Sequence, residues 1–302
     1  MAQKVSQLLN ECSTQDTGDR THLHYAASRG QLLTLYSLIK EGQNVNAHTC
    51  NGITALHDAC WTGHVYSARH LIQAGAKVNT LDIAGQSPLI YASTHGHSDC
   101  VKLLLDSGAN PDLENQRIPP LHAAAFEGAI DCVKNLMSSG ADIEAKDRQQ
   151  DTPLLTASKR GKVHVATALL QAGANVNVST QETCDTPLHI ASRRHDQDLS
   201  RLLIEYGANL SAINKDNKKP SQVVKPEGQG GMEMASLFKY YEDNPMTLAS
   251  ICRFGLRQYL GPNKLNTIPD LPLPDLMKRY LRCDDIKSNQ ETTAEEDMHH
   301  SK

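Results

Sequence analysis

The sequence predicts an all-α solenoid, a stack of helix–turn–helix repeats followed by a smaller helical module. Three observations carry this. Capping signatures recur as THLH from Thr21, TALH from Thr54, SPLI from Ser87, PPLH from Pro119, TPLL from Thr152 and TPLH from Thr186, at intervals of 33, 33, 32, 33 and 34 residues. A glycine closes an apolar stretch on the same beat, at Gly42, Gly75, Gly108, Gly140, Gly173 and Gly207. Another glycine divides each unit, at Gly30, Gly63, Gly96, Gly128 and Gly161, with His195 in the sixth place. A fixed period of this length marks a repeat architecture, not a single globular core.

Each element follows from local chemistry. Thr or Ser before Pro-Leu is an N-cap followed by a proline at the first helical position, where the missing N–H is no loss. The first helix of each unit is short and alanine-rich, as in LHYAA and LHAAA, so a neighbour can pack closely against it. The dividing glycine ends that helix in a left-handed C-cap; His195 must adopt the same conformation at some cost, or the turn differs there. The second helix carries apolar residues at helical spacing, such as Val101, Leu104 and Leu105. The closing glycine ends it, and an extended VN segment leads to the next cap.

Composition narrows the function classes. The chain has 302 residues and a net charge of −4. Residues 284–302 alone hold six acidic and two basic residues, so the remainder is near neutral and lacks the clustered Lys and Arg of a nucleic-acid footprint. The eight cysteines include no CxxC pair, which argues against zinc and for reduced thiols in an intracellular protein. The start, MAQKVSQLLN, has no apolar signal region, and no run reaches membrane-spanning length. A cytoplasmic location is expected, with the nucleus open to it. Asn177 and Asn209 in N-x-S triplets are then chance matches. Cys60, Cys100 and Cys132 fall where small apolar residues pack. No nucleophile elbow, phosphate loop or zinc-protease motif occurs, so no catalytic residue, cofactor or metal is expected.

The period, the Thr-Pro-Leu-His signature and the paired glycines resemble the ankyrin repeat. The resemblance spans six repeats over residues 16–213, with a truncated seventh at NKDNKKPSQVV, where Lys219-Pro220-Ser221 takes the capping place. It implies that His24, His57, His122 and His189 are structural hydrogen-bonding residues; one per stacked unit, they cannot converge on a metal. Pro119 in place of the capping Thr, His22 in place of Pro, and Ile90 and Leu155 in place of the histidine depart from the pattern.

Stacked repeats present an extended binding surface. The pair before each dividing glycine faces its concave side in ankyrin geometry. Those pairs include Trp61, Phe126, Lys159-Arg160 and Arg193-Arg194. They suggest a protein partner with apolar residues at one end and acidic residues at the other, against the plainer reading of local packing and solvation.

Beyond a Gly- and Pro-rich break at KPEGQGG, MEMASLFKYYEDNP reads as a short helix. Next, MTLASICRFGLRQYLG places Leu248, Cys252 and Leu256 on one helical face, with Thr247 as cap. Residues 267–281 read TIPDLPLPDLMKRYL, whose prolines cannot continue a helix. The Thr-Leu-x-x-x-Cys-x-x-x-Leu pattern resembles the elongin-binding part of a SOCS box, and Leu271-Pro272-Leu273-Pro274 is identical to the cullin-5 box motif. Together they resemble the ankyrin repeat and SOCS box protein family. The resemblance implies a non-catalytic substrate receptor for a ubiquitin ligase. Elongin C, with elongin B, would bind at Leu248, Cys252 and Leu256. Cullin-5 and RING-box protein 2 would join through Leu271 to Pro274. The competing expectation is a plain ankyrin scaffold. The implied layout is an N-terminal segment to residue 15, repeats over 16–213, a partial cap and linker helix over 214–243, a SOCS box over 244–283 and an acidic tail over 284–302.

Overall fold

Short helices joined by tight turns run through the computed structural model, which describes residues 19–112, 118–224, 229–244 and 278. Two compact units divide the chain, Met1–Arg148 and Gln149–Lys302. Unit 1 contains four helical hairpins: α1 (His22–Ser28) with α2 (Leu32–Lys40), α3 (Ala55–Thr62) with α4 (Val65–Gln73), α5 (Pro88–Thr94) with α6 (Ser98–Asp106), and α7 (Pro120–Glu127) with α8 (Ile130–Ser138). Unit 2 contains α9 (Pro153–Arg160) with α10 (Val163–Gln171), α11 (Pro187–Arg193) with α12 (Gln197–Glu205), a 3-10 turn (Pro220–Gln222) and α13 (Gln229–Asp243). In unit 1 the first helices α1, α3, α5 and α7 form one row and the second helices a parallel row behind it. Unit 2 repeats this with α9 on α11 and α10 on α12. Among the described residues no strand forms beyond an isolated bridge between His48 and Thr54.

The helix starts lie where the capping signatures place them. Thr21, Thr54, Ser87, Pro119, Thr152 and Thr186 are all N-caps in extended conformation. The histidine three residues on does more than close its own cap. In the second repeat the Thr54 amide donates to His57 Nδ1 at 3.1 Å, and the ring's Nε2–H donates to the Gln86 carbonyl of the next repeat at 3.2 Å. His24 reaches Ile53 O at 3.0 Å and His189 reaches Lys218 O at 3.0 Å in the same way. The truncated seventh repeat is thus a polar lid: its Lys218 carbonyl receives His189, and its 3-10 turn covers α11.

A second tie joins the finger turns. Asn46 Nδ2 donates to Gly75 O while Asn46 Oδ1 accepts from Lys77 N, at 3.0 and 2.9 Å. Asn79 does the same to Gly108 and Asn110, and Asn177 to Gly207 and Asn209. Behind the turns, Leu35, Leu56, Leu71, Leu104, Leu136, Leu154 and Leu169 are buried, and Cys60, Cys100 and Cys132 are fully buried beside them.

The dividing glycines are left-handed, with Gly63 at φ +75 and Gly161 at φ +65, and His195 takes the same conformation at φ +55. At Gly63 a second constraint applies. A Cβ there would lie 2.5 Å from His97 Nδ1, because the His97 ring crosses the turn to donate to Trp61 O at 3.0 Å. The expected break at KPEGQGG is shorter than the sequence suggests, since α13 begins at Gln229 and includes Gly230 and Gly231. A Cβ at Gly230 would be 3.4 Å from His195 Cβ, so the missing side chain lets the start of α13 come close. Met234 and Phe238 then bury its inner face.

Two measurements test these ties. Burial, ahead of all other influences, lowers His57 from its ordinary 6.5 to about 4, and His24 and His189 shift the same way. The fold holds these rings neutral, so their contribution is complete above about pH 6.5 and declines below it, where the unfolded chain takes up the proton first; for His57 the decline runs down to about pH 4. For His57 that amounts to roughly 3 kcal/mol. Urea melts from neutral to acid pH should show this decline, and His57→Asn should start less stable and decline less. Gly63→Ala should lose more than the ~1–2 kcal/mol of a left-handed alanine. The Gly63→Ala/His97→Ala pair should lose less than the sum of the single changes; strict additivity would mean that the His97 ring gives way freely.

Candidate protein-binding surface and C-terminal module

In unit 1 the exposed pair positions form an aromatic cluster. Trp61, near the end of α3, is half exposed and packs on His95 and Tyr91 of the next repeat, with ring centroids 4.1 and 5.3 Å apart. Tyr91 is itself fixed: its edge meets His57 at 5.3 Å and its hydroxyl donates to Asp82 Oδ2 at 2.8 Å. Burial and the Asp82 carboxylate push the Tyr91 phenol well up. Arg20 and Asp58 form an ion pair at 3.2 Å, with the Asp58 side chain nearly buried. Phe126, at the equivalent place in α7, is also partly exposed. Trp61 is therefore part of a packed aromatic surface that includes His95, a pair position of the next repeat, and Tyr91, which lies outside the aligned pairs.

In unit 2 the basic pairs of α9 and α11 have carboxylate supports. Lys159 pairs with Asp151, and Arg193 Nη2 pairs with Asp185 Oδ2 at 2.9 Å. Asp185 also accepts from Thr183 Oγ1 at 2.8 Å and Asn214 Nδ2 at 2.9 Å. Burial works against its charge, but the hydrogen bonds from Asn214, Thr183 and Arg193 keep its carboxyl below the usual range. Arg194 Nη1 donates to the Lys159 carbonyl at 3.1 Å, tying the two repeats together. Lys159, Arg193 and Arg194 line a cleft of about 310 Å³; Arg160 is exposed but lies outside its lining. Asp151, Asp185 and Asn214 escape a reading that looks only at the exposed pairs. Their signal is present in the sequence: both repeats read Asp-Thr-Pro-Leu with a base eight residues after the aspartate.

Among the described residues no group of three His, Cys, Asp or Glu side chains is arranged to hold a metal ion. Leu248, Cys252, Leu256 and Leu271 to Pro274 lie outside the described residues.

Comparison with known proteins covers both parts. Three copies of an ankyrin-repeat family match over residues 1–82, 77–147 and 121–214, and the SOCS box family matches residues 244–282. Ankyrin repeat and SOCS box protein 5 of Bos taurus is 46% identical across 87% of this chain and 78% of its own length. The Homo sapiens protein of that name is 45% identical with the same coverage. Ankyrin repeat and SOCS box protein 11 of Homo sapiens is 41% identical, across 87% of this chain and 79% of its own. Among solved structures, the human ASB11 ankyrin repeat domain superposes with a TM-score of 0.68 at 36% identity, over 75% of this chain and all of that one. The ankyrin repeat domain of Bcl-3 superposes with a TM-score of 0.63 at 30% identity, over 74% of this chain and all of that one. With ankyrin repeats and a SOCS box matched in that order, and relatives this similar over most of their length, the chain belongs to the ankyrin repeat and SOCS box protein family.

Proposed function

We propose that the chain is the substrate-recognition subunit of an elongin B/C–cullin-5–RING ubiquitin ligase. The observation that carries this reading is the SOCS box match over residues 244–282, directly behind an ankyrin array. Leu248, Cys252 and Leu256 sit at the spacing of an elongin C-binding helix face, where a leucine fills a pocket and a small cysteine permits close approach. Leu271-Pro272-Leu273-Pro274 is the segment that selects cullin-5 and, through it, RING-box protein 2. Prolines suit that task because a segment with fixed φ loses little entropy on docking. The ankyrin units hold the target, with Trp61 and Phe126 as apolar contacts in unit 1 and the basic residues of α9 and α11 as polar contacts in unit 2. The chain supplies no chemistry of its own in this scheme. It raises the effective concentration of target lysines beside the ubiquitin-charged partner, and the expected fate of the target is proteasomal degradation. The working compartment in this scheme is the cytoplasm, with the nucleus open to it.

The test is co-purification. Elongins B and C should accompany the wild-type chain and be lost with Leu248→Ala or Cys252→Phe. Pro272→Ala/Pro274→Ala should weaken cullin-5 capture while elongin capture stays nearly intact. A wild-type chain that brings down no elongin would leave only a plain ankyrin scaffold. For the target surface, Trp61→Ala should weaken capture of a bound target by at least tenfold, as expected of a partly exposed tryptophan at an interface.

A further inference from the structure

The cleft of unit 2 is a site built twice over from the same parts. Lys159 and Arg193 occupy equivalent repeat positions, each eight residues after its supporting aspartate. The Asp151 and Asp185 side chains are only 6% and 3% exposed, whereas those of Lys159 and Arg193 are 44% and 52% exposed. The anions are therefore inside and the cations outside. Asp185 is locked by Thr183 and Asn214 as well as Arg193, so it is a fixed support, not a surface partner that drifts. Arg194 is held separately, through the Lys159 carbonyl. Arg193 contributes one nitrogen to Asp185 and Arg194 one to that carbonyl, so both guanidinium groups keep N–H groups for a further acceptor. On the exposed side of the cleft these three cations face a single carboxylate, Glu182; Gln149, Gln181 and Thr183 are neutral.

We propose that this cleft docks an acidic segment of the protein target, taking Asp or Glu carboxylates between Lys159, Arg193 and Arg194. The proposal rests on the target-binding reading of the ankyrin units and names the chemistry that one of them selects. Cations already held in place lose little freedom on binding, which favours recognition over mere attraction. Planar guanidinium groups match a carboxylate with paired hydrogen bonds. A volume of about 310 Å³ admits one or two side chains of a segment, not a folded surface.

The experiment measures binding of a labelled peptide of alternating Glu and Gly to the full chain by fluorescence anisotropy, beside the same peptide with Gln for Glu. The Glu peptide should bind and the Gln peptide should not, and raising salt from about 0.05 to about 0.5 M should weaken binding. Arg194→Gln is the decisive variant, because it leaves both ion pairs in place; it also removes the bond to the Lys159 carbonyl, so it is read at an unchanged melting curve, where it should weaken binding at least tenfold. Arg193→Gln removes the cation from buried Asp185, so its peptide affinity is read only together with an unchanged melting curve. Equal affinity for the two peptides, or for wild type and Arg194→Gln, would overturn the proposal. A full chain with Asp284, Asp285, Glu291, Glu295, Glu296 and Asp297 changed to their amides should bind as wild type does. A tenfold gain there would assign the cleft to the chain's own tail and overturn docking of a target. Elongin capture from the same preparations separates the two readings: elongin captured without Glu-peptide binding sinks the cleft proposal alone, and peptide bound without elongin sinks the ligase reading alone.

Discussion

A neutral histidine has one ring nitrogen to accept and one to donate, and a single repeat here provides a partner for only the first. Nδ1 of His24, His57 and His189 closes the cap of its own helix, while Nε2 has to look to the backbone of the following repeat. The far end of the first helix is handled alike. The Trp61 carbonyl receives His97, and the Lys159 carbonyl receives Arg194, in each case from the next repeat. In α3 both polar ends are thus completed by a neighbour, while α1 and α11 show the first tie and α9 the second. A repeat cannot satisfy its buried polar groups alone, so stacking is a condition for folding and not only a gain from it.

That dependence explains which departures from the repeat pattern the chain tolerates. Ile90 and Leu155 keep the cap through Ser87 and Thr152, whose side chains accept from the amides of Ile90 and Leu155 at 3.4 Å, but an aliphatic side chain cannot reach onward to the next carbonyl. The Asn79 ladder still ties the third repeat to the next finger turn, through Gly108 O and Asn110 N. Ties at the fingers and at the caps are therefore partly redundant, and losing one leaves a repeat joined. His195 shows the limit on the other side. A side chain in the left-handed region is strained, and here Gly230 of α13 packs against it.

Much of this was legible in the sequence because each feature depends on residues a fixed distance apart. Caps, dividing glycines and the 33-residue beat are local, and they place every first helix of the described repeats. The features that escape are non-local or depend on a missing side chain. The start of α13 looks like a linker because glycine is a poor helix former; only contact with His195 makes Gly230 suitable there. The side chains that cross the dividing turns come from different places, His97 from just after its own dividing glycine and Arg194 from just before His195, so no single column reveals them. Trp61 stands out in the sequence as an aromatic at an outward position, but its support by Tyr91 and His95 comes from the next repeat.

The paired charges of unit 2 do not fit an account based on stability alone. An ion pair whose cation is half exposed contributes little, since solvent screens it. A carboxylate buried to the extent of Asp185 is a liability unless several groups satisfy it. Apolar residues at both places would avoid that cost. The arrangement nevertheless occurs in two successive repeats, and in the second Thr183 and Asn214 are added to secure the anion. In unit 1 the same neighbourhood is wired in reverse: Arg20 stands before the cap, and Asp58 lies within the next first helix. In the second repeat the residue before the cap is Ile53, and the exposed place eight positions later belongs to Trp61 and not to a base. The residue before the cap and the residue eight positions later thus behave as one adjustable element. In the fifth and sixth repeats the first is the buried anion and the second the cation shown at the surface. The fifth and sixth repeats carry this pair although the fifth has Leu155 and the sixth His189 at the tying position, so the outward chemistry does not depend on the histidine tie.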